Sequence, residues 1–429
     1  MIEELHFPNG SRLVQRWQAN ERDAKDRLRE IFDATIAGEY DDVFRHPAPQ
    51  DRVHVSASLN LLTLAMMHDL YQLNSVDFYK GDAQRYVRTT LMSRRLLGID
   101  KMYLSWPVYA FSAEAMGAKM MYQSSFPPGA EPDKALVTAD NWRDIRTPDF
   151  DSGIPKLIEE MLACYQRLTG FQPVLHVSAP YSLAADIIGQ EPLLDALSHA
   201  PQFVNEFLDL LVDRVLAPWA DAFFQRFPRG WLEFSDASGS PLFIGPTHFQ
   251  AIAHRTVARI ISENSWGRRV YCANYRGDYV AETRQASAGR RHRRKRNSAD
   301  YGSDRRLQLK ELLGLKTQTC PDFVIRLNDD RVALDNYVNH AIECSIPLFL
   351  GVGASQIDRH KSIAVQDVAA MSSNYVAAIK SVTDTIKDKG YRGRVPPWPG
   401  SIYFEDISAE SNLELVEAIV GTVLREGNQ

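Results

Sequence analysis

The chain has 429 residues, 45% hydrophobic and 24% charged, with a formal net charge of -5 at neutral pH. It can bury a large core, and its net acidity argues against nucleic acid as a general partner. It contains no run of about 18 apolar residues, and Met1-Ile-Glu-Glu-Leu-His6 lacks the basic start and apolar centre of a secretory leader, so a cytoplasmic protein without a membrane partner is expected.

Four cysteines, Cys164, Cys272, Cys320 and Cys344, form no Cys-x-x-Cys pair, so reduced thiols are expected rather than a disulfide framework. From Gly10 to Gly38 the apolar positions Leu13, Trp17, Ala24, Leu28, Ile31 and Phe32 recur at helical spacing. Residues 1–50 are therefore read as a helical extension that caps the rest, and residues 51–429 as the main unit. Within that unit, short β-rich runs alternate with helical stretches. The runs are Val53–Ser58, Met102–Trp106, Pro173–Ser178, Trp231–Ser235, Arg269–Asn274, Phe323–Asn328 and Pro347–Gly353. Helices are expected over Glu191–Gln225 and Ala364–Lys387, and Pro-rich loops at Phe126–Gly129 and Val395–Gly400. Strands that alternate with helices pair in parallel through right-handed crossovers. Seven or more of them point to a closed (β/α)8 TIM barrel. A doubly wound nucleotide fold ranks lower, since neither Gly-x-Gly-x-x-Gly nor Gly-x4-Gly-Lys-Ser/Thr occurs.

One island departs from the acidic average: Arg290-Arg-His-Arg-Arg-Lys-Arg296, inside the apolar-poor segment 285–306. A charge run of this kind is usually a solvated loop, with a phosphate-binding or targeting patch as the functional alternative.

In a parallel barrel, chemistry is built at the carboxyl ends of the strands. Those ends carry Trp106, His176, Glu233 with Asp236, Tyr271 with Cys272 and Asn274, Arg326 with Asn328, and Gly351 with Gly353. Each has an ordinary structural reading. His176, between Leu175 and Val177, could be a hydrogen-bonded core histidine. Asp236, ahead of Ala-Ser-Gly-Ser, could cap a turn. Arg326 in an apolar run needs an acidic partner or a substrate carboxylate. Cys272 could be a small buried hydrophobe or a thiolate ligand. Gly351 and Gly353 could admit a substrate to the backbone or serve only a tight turn.

Several motifs in sequence order resemble the uroporphyrinogen decarboxylase superfamily over about Arg52 to Phe404. They are Arg52-Val-His-Val-Ser, the Ala110–Gly117 helix followed by Phe126-Pro-Pro, Ser178-Ala-Pro-Tyr-Ser-Leu with Gly189, Ser235–Phe249, and Pro347-Leu-Phe-Leu-Gly-Val-Gly-Ala. That superfamily also includes zinc-dependent methyltransferases acting on corrinoid or thiol carriers. The resemblance implies a TIM barrel, and homodimers are common among such proteins. The decarboxylases' Arg-Gln-Ala-Gly-Arg-Tyr signature has no counterpart here. Their active-site Tyr, Ser and late His fall on or near Asp186, Asp236 and Val352, so uroporphyrinogen is not the expected substrate. The methyltransferases' His-x-Cys falls on Val270-Tyr271-Cys272, and their second Cys on the Gly351–Gly353 turn.

The leading expectation is a cofactor-free decarboxylase or related lyase acting on a small carboxylated metabolite. Arg326 anchors the carboxylate, Asp236 or His176 donates the proton, and Glu233 orients. Trp106, Tyr271, Asn274, Asn328, Gly351 and Gly353 complete the substrate contacts. The alternative is a zinc methyltransferase with Cys272, His176 and Glu233 as ligands and a corrinoid protein or thiol as methyl carrier. A barrel that binds a ligand without catalysis is the third reading.

Overall fold

The computed structural model describes residues 2–45, 52–100, 104–131, 134–138, 140–267, 269–272, 309–319, 333–388 and 400–427. Among the described residues the strands are β1 (His54–Ala57), β2 (Met120–Met121), β3 (Gly129–Ala130), β4 (Val174–Ser178), β5 (Trp231–Ser235), β6 (Val270–Cys272), β7 (Leu348–Val352) and β8 (Gly400–Phe404). Apart from the small antiparallel β2–β3 pair, they form two parallel sheets, ordered β1-β8-β7 and β4-β5-β6. The result is a helix-rich α/β fold with parallel strands.

β1, β4 and β7 are buried along their whole length, as expected of parallel strands covered on both sides. Their apolar, β-branched runs have few other ways to remove so much surface from water. The helix Val365–Asp388 packs on β7 and β8 and against Leu413–Glu426, which in turn packs on β1; the helix Val108–Ala115 covers β4. Position 400 suits a glycine because a Cβ there would lie 2.6 Å from the Leu348 carbonyl of β7.

The expected amino-terminal helix is two helices, Asn9–Gln18 and Arg22–Ala37, broken where Asn20 turns to φ +66°. Its six apolar positions are buried as the spacing requires, against the helices Ala83–Leu97 and Leu413–Glu426. The long helix expected over Glu191–Gln225 is likewise divided, into Gln190–His199, Pro201–Leu211 and Ala217–Arg226, with a wide turn at Val212–Leu216. Pro201 explains the first break: it restricts Ala200, whose φ is -142°, and can only begin a new helix. The helix expected over Ala364–Lys387 runs from Val365 to Asp388.

Two expected strands differ or fall outside. Leu104–Trp106 is not extended into a sheet, and Phe323–Asn328 lies outside the described residues, as does segment 285–306. No helix among the described residues is long and apolar enough to cross a membrane.

Candidate active site

The parallel register of β4 and β5 sets His176 opposite Glu233. Partners in register project from the same face of a sheet, so the two side chains must meet. His176 Nδ1 lies 2.8 Å from Glu233 Oε2. The exposures of the two residues are 6% and 2%, which makes this a buried pair rather than a surface contact. Trp106, also buried, stands edge-on to the imidazole at 5.4 Å and 86° and limits its tilt. The Trp106 indole Nε1 has no hydrogen-bond partner among the described residues. Three sequence candidates thus converge, although Trp106 comes from an irregular segment.

Register also bears on the candidates of β6. Glu233 is opposite Tyr271, and Phe234 is opposite Cys272. Position 271, not 272, is therefore in line with the His176–Glu233 pair. The side chains of Tyr271 and Cys272, and all of Asn274, Arg326 and Asn328, lie outside the described residues.

Asp236 follows β5 and serves the turn anticipated for it, accepting from the Gly239 amide at 3.1 Å. It also accepts from Ser182 Oγ at 2.8 Å, and Ser182 in turn accepts from the Ser238 amide at 3.1 Å. Ser182 belongs to the helix Pro180–Ile188, which starts at once after β4 because Pro180 fits a first helical position. The same helix carries Tyr181 and Asp186. Ser178, the last residue of β4, donates to Asp186 Oδ2 at 3.3 Å. Burial pushes the Asp186 carboxyl up to about 7, against the Ser178 hydrogen bond and with help from the charge of Asp236. The Tyr181 hydroxyl is buried without a partner among the described residues, and burial with the Asp236 charge raises its pKa.

A third carboxyl comes from the other sheet. Asp406, two residues past β8, is pushed up to about 6 by burial, against a hydrogen bond from Ser58 and with help from Glu405. Ser58 follows β1 and is linked through Asn60 to Tyr79 by two hydrogen bonds of 3.1 Å. Tyr109, on the helix Val108–Ala115, feels the charges of both Asp186 and Asp406, and burial with those charges raises its pKa. Tyr109 thus senses the charge of one carboxyl beyond β4 and of one beyond β8.

The glycines have a local explanation. Gly351 lies within β7 opposite Tyr403, and the Gly353 amide donates to Gln356 Oε1 at 2.9 Å, closing the short turn Ala354–Gln356. Among the described residues no group of three or more His, Cys, Asp and Glu side chains could hold a metal ion. Tetrahedral zinc needs three or four such donors, and His176 with Glu233 supplies one nitrogen and the carboxylate that orients it. The described residues do not fit a zinc centre.

Sequence reading passed over Tyr109, Tyr181, Ser182 and Asp406. Asp186 was visible only as the position that departs from the decarboxylase tyrosine. Asp406 had no visible context because β8, five residues at the end of a Pro-rich loop, was not read as a strand.

His176 and Glu233 are each the third of five residues in their strands, so the buried pair lies mid-strand and not at the carboxyl ends expected for it. No family profile matches the chain, and no curated protein does. Among solved structures the chain is similar to a methyltransferase from Methanosarcina mazei, with a TM-score of 0.60 and 12% identity over 91% of this chain and 96% of that one. That similarity shows a shared fold.

Proposed function

We propose that the two parallel sheets are arcs of one uroporphyrinogen decarboxylase-like barrel, capped by the amino-terminal helices, and that the protein is an enzyme of methyl transfer. The adjacency of β1 and β8, the first and last strands, is what barrel closure demands. The observation that carries the catalytic reading is the buried His176–Glu233 pair. Methyl transfer to a thiol or hydroxyl requires removal of the acceptor's proton. His176 takes that proton, and Glu233 holds the ring and stabilises the imidazolium that forms. Trp106 keeps the imidazole from rotating out of line. The fold of the Methanosarcina mazei methyltransferase supports the reaction class.

Decarboxylation ranks second. It needs a cation to anchor a carboxylate, and the proposed anchor Arg326 lies outside the described residues. For the zinc alternative, the side chain of the ligand candidate Cys272 lies outside the described residues.

The test is direct. Purified protein is incubated with methylcobalamin and a panel of small thiols, and thioether formation is followed by mass spectrometry. A separate panel of carboxylated metabolites is assayed for carbon dioxide release. Thioether formation above the uncatalysed rate supports methyl transfer. Carbon dioxide release without any methylated product overturns it in favour of the lyase.

A further inference from the structure

We infer that a cavity on the face of β5 turned away from the His176–Glu233 pair binds a small uncharged molecule that joins an aromatic ring to a hydroxyl group, as a phenol does. The cavity has a volume of about 440 Å³, within the range of small-molecule sites. Phe234 of β5 forms part of its wall. Successive residues of a strand face opposite sides of the sheet, so Phe234 points away from the side that Glu233 and His176 share. The facing wall comes from the wide, π-helical turn Phe249–His254 and from the helices Arg255–Ser262 and Leu309–Thr319. Such turns are rare and occur often at functional sites. Both ends of this one, Phe249 and His254, line the cavity, with ring centroids 5.7 Å apart at 47°.

Two polar groups of the wall call for a ligand hydroxyl. Ser240 is 3% exposed, and its own hydroxyl has no hydrogen-bond partner among the described residues. His254 Nε2 lies 3.1 Å from the Leu315 carbonyl, beside Thr319 Oγ1. A carbonyl oxygen only accepts, so Nε2 carries the proton. Burial, opposed by that bond and helped by the nearby Lys316 charge, favours the neutral ring. Nδ1 is then a bare acceptor, and no described residue donates to it. A single ligand hydroxyl can donate to that nitrogen and accept from Ser240. Phe234, Phe249 and Val257 give the ring its apolar contacts. Asp236 and Lys316 also line the cavity, one charge of each sign, so either kind of ion meets a like charge there and an uncharged ligand does not.

The full chain is titrated with para-fluorophenol and followed by fluorine NMR. Fluorobenzene serves as the ring without the hydroxyl, para-fluorobenzoate as the anion and para-fluorobenzylammonium as the cation. The phenol is expected to bind at least about tenfold more tightly than each of the other three. Ser240→Ala removes one partner of the ligand hydroxyl and should weaken binding several-fold. Val257→Phe fills the cavity and should abolish binding with the melting temperature retained. Should that variant fail to fold, Ser240→Ala decides, because the serine hydroxyl has no partner to lose. His176→Ala should leave the affinity unchanged, since the pair lies on the other face of β5. Equal affinity for fluorobenzene, tighter binding of either ion, or unchanged affinity in the folded Ser240→Ala and Val257→Phe proteins overturns the proposal. So does loss of binding in His176→Ala, which would put the ligand at the His176–Glu233 pair instead.

Discussion

Removing one member of the His176–Glu233 pair should be far more damaging than removing both. The pair is 2.8 Å apart and almost wholly buried. Glu233→Leu leaves a histidine whose orienting acceptor is gone, and His176→Leu leaves a carboxylate in a poorly hydrated place. Breaking a buried pair on one side typically costs about 3–5 kcal/mol, whereas replacing both members by apolar residues of similar size is often close to neutral. For a chain of 429 residues, an unfolding entropy of about 2.1 cal/mol/K per residue gives about 0.9 kcal/mol/K. Each single variant should then lower the melting temperature by about 3–6 °C in scanning calorimetry. His176→Leu with Glu233→Leu should recover most of that loss, with a coupling energy of about 5 kcal/mol or more, while remaining inactive. Single variants that cost under about 1 kcal/mol and add without coupling would refute the view that the two side chains form one buried unit.

Further outcomes follow from the other residues. Trp106→Phe keeps a ring against His176 and should change stability by no more than about 1 kcal/mol, whereas Trp106→Ala should cost about 3–5 kcal/mol by denaturant titration. Asp100, which accepts from the Val55 amide at 2.9 Å and pairs with Arg52 and His54, has a lowered pKa because those partners outweigh its burial. Its contribution to stability is present above its unfolded pKa and is lost as pH falls through the lower folded value. Asp100→Asn should therefore be markedly less stable than wild type at pH 7, with the gap narrowing in strong acid. Asp186 has the opposite sign: its folded pKa is raised to about 7, so its ionisation disfavours folding as pH rises from about 4 through 7. Asp186→Asn should gain on wild type over that range by up to about 4 kcal/mol.

The strands were legible wherever burial on both faces imposed a continuous apolar run, as in Val174–Ser178 and Leu348–Val352. Helix limits were less so. The break at Asn20 needs a positive φ that an Asn tolerates but does not announce, and the Pro201 break was masked by apolar spacing that continues through it. His176 and Glu233 could be proposed singly, because each sits in an apolar run. Their pairing depends on the register of two strands 57 positions apart, which no local pattern encodes. Asp186 and Asp406 were hidden for a similar reason: one lies within a helix, the other follows an unrecognised strand, and only in the folded chain do both charges reach Tyr109.

The most direct test of the proposed site is the methyl-transfer rate of wild type and His176→Ala measured side by side under saturating thiol, with calorimetry confirming that both are folded. Removing the base should lower kcat by about 10²–10⁴-fold, as loss of a general base does elsewhere. A folded His176→Ala variant that transfers methyl groups at the wild-type rate would contradict a catalytic role for the pair.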